Sequence, residues 1–169
     1  MTVDLAALAE NALETSWTAM RSLAWLALAF AGLAFITKGR DAIAAARRAI
    51  VETRINLSLF VLDTLVVLPL VLLMTDGIGT MVTRFDLALV GLDRWQRIEP
   101  ALTAIAAVFL GDFISYWRHR LEHTRLIWPA HAIHHSDTAM TWLTLARFHP
   151  INRFVTVGID TAFLALIGF

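Results

Sequence analysis

The 169-residue sequence predicts an all-α fold, an integral membrane helical bundle whose histidine-bearing helices face the cytoplasm. Three observations carry that expectation. Hydrophobic residues make up 58% of the chain and charged residues 17%, with a mean hydropathy of +0.66, whereas a soluble domain is about 45–50% apolar and about 25% charged. Four apolar stretches of near-helical length recur, and no polar face repeats within them at helical spacing. Lysine and arginine gather in particular connecting segments, as they do on the cytoplasmic side of membrane proteins.

The elements follow in order. Met1 to Ser16 carries Asp4, Glu10 and Glu14 and no basic residue, so it does not read as a secretory signal, which needs a positive leading region. Residues 3–14 are expected to form a short amphipathic helix. The first apolar stretch is Ser22 to Ile36, between Arg21 and Lys38; Trp17 and Thr18 extend it toward the roughly 20 residues a spanning helix needs. Residues 38–54 read as a loop holding Lys38, Arg40, Arg47, Arg48 and Arg54. The second stretch, Ile55 to Met74, contains Asp63 and Pro69, and Asp76, Gly77 and Gly79 mark a loop after it. The third, Ala101 to Trp117, contains Asp112 and ends in Tyr116–Trp117; the fourth, Val155 to Phe169, contains Asp160.

Three crossings agree with the charges, with the 38–54 segment and the region after 117 cytoplasmic; a re-entrant third stretch stays open. Carboxylates inside such stretches are costly and mark function by default, although a buried structural hydrogen bond is the better account of Asp63. Residues 1–100 are expected to form an N-terminal region with two transmembrane helices, and residues 101–169 a histidine-motif domain. The balance of 14 basic and 14 acidic residues gives no basic face for nucleic acid. The absence of cysteine excludes disulfides, iron–sulfur clusters and thiol chemistry.

All six histidines lie between residues 119 and 149: His119 and His123, then His131, His134 and His135, then His149 before Pro150. Residues at i, i+3 and i+4 share a helix face. His119 and His123 therefore project together, and His131 stands one turn from His134 and His135. Pro129 suits the first turn of a second helix, and two such helices facing each other bring five imidazoles to one volume. Neutral imidazole is a good ligand for iron, zinc and copper. Six exceed the four ligands of a tetrahedral zinc site and suit two metals. Other readings stay open. His119-Arg120-Leu121-Glu122-His123 fits the H-x-x-E-H zinc peptidase motif, with Glu122 as general base; with two metals, Glu122 is a polar neighbour. Two histidines can also hold a b-type haem, and a histidine-rich tract can be a loose surface metal binder.

The ordered set Gly111-Asp112, Tyr116-Trp117-Arg118-His119-Arg120, His123, Trp128, His131, His134-His135-Ser136, Met140, Thr144 and Arg147-Phe148-His149-Pro150 resembles the fatty acid hydroxylase/sterol desaturase superfamily. Members of that family are membrane-bound non-haem di-iron enzymes that hydroxylate or desaturate lipids with O2. The resemblance implies His119, His123, His131, His134, His135 and His149 as metal ligands, two iron ions as cofactor with zinc as a substitute, a lipid substrate, and an electron donor of cytochrome or ferredoxin type. Asp112, seven residues before His119, would accept a hydrogen bond from a ligand imidazole. Arg147 would anchor a carboxylate near the site, or equally a headgroup or a contact at the cytoplasmic surface.

The sequence departs from the family pattern in places. Thr141 stands where asparagine is frequent and Asn152 where glutamate is frequent. The family's further H-x-x-H-H cluster is absent before Phe169, so the chain is expected to stop short of a complete site. A degenerate homologue that binds zinc structurally is the alternative. Hydroxylation, desaturation and ether-bond oxidation share these motifs, so the substrate and the reaction stay open.

Overall fold

The computed structural model describes residues 5–169, and every regular element among them is a helix. Three helices are long and apolar enough to cross a membrane: Glu10–Lys38, Ile50–Arg84 and Pro100–Glu122. The expected all-α membrane fold is borne out. Large apolar side chains remain exposed along these helices, Trp25, Leu28, Ile105, Val108 and Phe109 among them, which suits a surface whose solvent is lipid.

The chain divides into two compact units. The first holds the described residues up to Pro69 together with Ala132–His149. Its α1, Leu5–Lys38, has no glycine or proline before Gly32. The N-terminal segment therefore does not form a separate short helix: from Leu5 onward it runs unbroken into the first span. Residues 3 and 4 of that expectation lie outside the described residues. Gly39, with φ +55°, turns the chain, a conformation in which a Cβ is strained. The expected 38–54 loop is then largely helical, as α2 (Asp41–Arg48) and the start of α3 (Ile50–Leu62). A run of alanines with long charged side chains favours helix even where charge marks a membrane border.

A five-residue π-helical segment, Asp63–Val67, separates α3 from α4 (Leu68–Arg84). Pro69 accounts for it. Its ring has no N–H to donate and clashes with the carbonyl four residues back, that of Leu65, and a wider turn relieves the clash. Ser16 on α1 donates its hydroxyl to the Thr64 carbonyl at 3.1 Å. The return segment carries two 3-10 turns, His134–Ser136 and Trp142–Ala146. Phe30 stacks on Trp142 with ring centroids 5.6 Å apart.

The second unit comprises Leu70–His131 and Pro150–Phe169. The loop expected at Asp76–Gly79 is absent: α4 continues through both glycines to Arg84. A glycine in a helix costs about 1 kcal/mol, which the apolar run around it offsets. The helix stops where Asp86 enters the left-handed region at φ 51° and the Leu87 amide bonds the Val82 carbonyl at 2.9 Å, a Schellman-type end. A short α5 (Leu92–Gln96) leads to α6 (Pro100–Glu122). Pro100 opens α6, and the Glu99 carboxylate accepts from the Leu102 amide at 3.1 Å. After a turn comes α7 (Trp128–His131), and α8 (Pro150–Leu166) packs on α6 and α7. Trp95 donates its indole N–H to the Ile167 carbonyl at 2.7 Å and holds the end of α8.

Candidate metal centre

The second unit builds a cluster from three of the histidines. His119 lies in the last turn of α6, His123 is the residue that ends it, and His131 is the last residue of α7. The Thr124 and Trp128 amides bond the carbonyls of Leu121 (2.9 Å) and Thr124 (2.8 Å), which folds α7 back over the end of α6. The three imidazole centroids form a nearly equilateral triangle: 4.8 Å from His119 to His123, 4.8 Å from His119 to His131, and 4.9 Å from His123 to His131. Each ring offers a nitrogen within 4.8 Å of those of the other two, and the Nε2 atoms of His119 and His123 lie 3.2 Å apart. One of these two nitrogens can donate an N–H to the other, or both can turn their lone pairs to a shared cation. Three nitrogens at this spacing are a fit for a divalent transition metal.

Burial is uneven. His131 is 2% exposed, while the His119 and His123 rings are open on one side. Beneath them lies Glu122, 1% exposed. Its Oε2 is 3.4 Å from Nδ1 of His119 and 3.4 Å from Nδ1 of His131. Its Oε1 accepts from Arg118 at 3.1 Å and from the Thr156 hydroxyl at 2.7 Å. Arg118 in turn donates to Asp160 at 2.9 Å. Asn152, fully buried, places Oδ1 3.2 Å from His131 Nδ1. A carboxylate 3.4 Å from Nδ1 of both His119 and His131 is that of Glu122, while Asp112 is exposed on α6. The signal was present in the spacing, because a glutamate three residues after His119 shares its helix face. The same burial bears on the zinc peptidase reading: a carboxylate enclosed by Arg118 and Thr156 does not face a substrate as a general base.

His134, His135 and His149 belong to the first unit. The expected second histidine helix is not continuous, since α7 ends at His131 and His134 and His135 sit on a 3-10 turn. His134 stacks on Phe148 at 5.4 Å, and His149 directly precedes the proline that opens α8.

The segment between them is tied to α3 by a buried polar network. Asp137 accepts from Asn56 (2.9 Å), the Thr144 hydroxyl (2.7 Å) and the Ala139 amide (3.0 Å). Arg147 pairs with Glu52 and reaches Asn56 at 3.2 Å and Asp137 at 3.6 Å. Burial pushes the Asp137 carboxyl up, but the hydrogen bonds from Asn56, Thr144 and Ala139 and the charge of Arg147 outweigh it, and the net direction is down. The carboxylates that Arg147 anchors are therefore the chain's own, and at 6% exposure it is not placed for a headgroup. Thr141 caps the second 3-10 turn in a reciprocal arrangement with Thr144.

Residues 104–169 match the family described as fatty acid hydroxylase, so the resemblance read from the histidine motifs is borne out over the segment that carries them. Ornithine lipid hydroxylase OlsE of Rhizobium tropici is 30% identical over 77 residues, which is 45% of this chain and 22% of that protein's length. No solved structure matches the chain.

Proposed function

We propose that this chain carries the histidine motifs of a membrane-bound non-haem iron oxygenase that hydroxylates or desaturates a lipid C–H bond. The observation that carries the reading is the triangle of His119, His123 and His131 backed by a buried carboxylate. The fatty acid hydroxylase match over residues 104–169 supports it, as does the similarity to a protein named for lipid hydroxylation. In this reading His119, His123 and His131 are ligands, and His134, His135 and His149 complete the set for two iron ions. Bound iron supplies the activation of O2 that oxidises an unactivated C–H bond.

The chain's own residues do the rest. Glu122 and Asn152 face the Nδ1 side of His131 and orient the ring. Arg118 and Thr156 hold Glu122. The network on Asp137 and Arg147 fixes the segment between His135 and His149. In hydroxylation one oxygen atom of O2 enters the C–H bond and the other leaves as water, with two electrons and two protons from outside. A donor protein of cytochrome or ferredoxin type is the proposed partner.

The test is metal analysis of the protein purified from membranes, joined to lipid mass spectrometry of expressing cells supplied with labelled O2. Bound iron together with a lipid that has gained one labelled oxygen, or an alkene that has lost two hydrogens, supports the reading. Zinc alone with unchanged lipids would replace it with a structural zinc site.

A further inference from the structure

We propose that Glu122 is the positioning residue of the three-histidine site, a single carboxylate that sets the tautomer of two ligand imidazoles on two different helices. The proposal rests on the metal-binding reading above and deepens it.

The two oxygens of Glu122 divide their work. Oε1 takes the Arg118 guanidinium at 3.1 Å and the Thr156 hydroxyl at 2.7 Å. These contacts hold the carboxylate to α6 and α8, and Asp160 braces Arg118 at 2.9 Å. Oε2 lies 3.4 Å from Nδ1 of both His119 and His131. An ionised carboxylate only accepts, so it favours a proton on each of those nitrogens. For His131 the Asn152 carbonyl oxygen, 3.2 Å from the same Nδ1, favours the same proton.

A neutral imidazole with N–H at Nδ1 has its lone pair at Nε2. Nε2 of His119 is the atom that approaches Nε2 of His123 to 3.2 Å, on the side where the rings converge. The buried carboxylate thus leaves the lone pair of each ring on the nitrogen away from Glu122, which for His119 is the atom that faces His123. Supporting carboxylates also raise ligand basicity, and removing one typically costs 10–100-fold in metal affinity. A Glu122 that served only to join α6 to α8 would need Arg118 and Thr156 and no imidazole. At 1% exposure the carboxylate is closed off from bulk solvent.

Cobalt(II) is the probe, because its visible bands report ligation. The full chain in detergent is titrated as wild type, as Glu122→Gln and as His123→Ala. Glu122→Gln keeps the shape and the hydrogen-bonding contact to Arg118. It is expected to retain helicity and elution volume and to bind cobalt about 10–100-fold more weakly. Nitrogen-15 imidazole NMR of the metal-free wild type, at pH about 8 where imidazole is neutral, is expected to show His119 and His131 protonated at Nδ1. This second measurement stands even if Glu122→Gln fails to fold. Wild-type cobalt affinity in a folded Glu122→Gln, or Nε2-protonated rings at His119 and His131, overturns the positioning role and leaves the metal site standing. Equal cobalt binding by wild type and His123→Ala overturns the metal site, and the proposal with it.

Discussion

Asp137 shows what a single residue contributes in this chain. Its carboxylate gathers Asn56, Thr144 and the Ala139 amide, and stands 3.6 Å from Arg147, which also pairs with Glu52. A carboxylate whose folded-state pKa lies below its unfolded value stabilises the fold above that unfolded value, and the contribution is lost as pH falls through the folded pKa. For Asp137 the direction is down from an ordinary value of 3.8. Stability in detergent is therefore expected to fall as acid is added below that point, and Asp137→Asn should flatten the acid limb. Thermal unfolding followed by circular dichroism across the acid range checks this; an unchanged acid limb in the variant would place the pH dependence elsewhere. The sequence marked the histidines by type and spacing, but it had no means to mark Asp137 or Asn56. Their importance lies in facing each other across 81 residues.

At the scale of the element, most helices were legible and their ends were not. The apolar runs gave the helical cores of α1, α4, α6 and α8, because a run too apolar for water makes its own backbone hydrogen bonds. The borders were set by local chemistry that composition averages away. Gly77 and Gly79 read as a turn, yet the helix Ile50–Arg84 extends through them for 35 residues. Gly39 is the glycine that does break a helix, through its positive φ. Gly39→Ala forces a Cβ into the left-handed region and should destabilise the turn between α1 and α2 by about 1–2 kcal/mol. Gly77→Ala removes a poor helix former and should be neutral or stabilising by up to about 1 kcal/mol. The two midpoints in a denaturant series in mixed micelles decide it; a Gly39→Ala midpoint no lower than that of Gly77→Ala would refute the assignment of the break.

For the whole molecule the distribution of basic residues bears on orientation. We propose that the turn between α6 and α7 faces the cytoplasm, because Arg118, Arg120 and Arg125 cluster there. The natural absence of cysteine makes single-site labelling direct. Leu126 and Leu89 are 87% and 77% exposed. A membrane-impermeant maleimide applied to intact cells should label Leu89→Cys and spare Leu126→Cys, and permeabilised cells should label both. The reverse pattern would invert the topology. By itself the sequence determined the membrane class, the apolar helical cores and the ordered histidine motifs, because these depend on composition and on spacing within a few turns of chain. Only the tertiary structure decided that α7 stops at His131, that Glu122 lies beneath two imidazoles, and that Thr156 and Asp160 reach back over 34 and 42 residues to hold Glu122 and Arg118. The physical reason is that a buried carboxylate must be paired wherever the packing leaves it, and the packing partners are residues that the linear order keeps far apart.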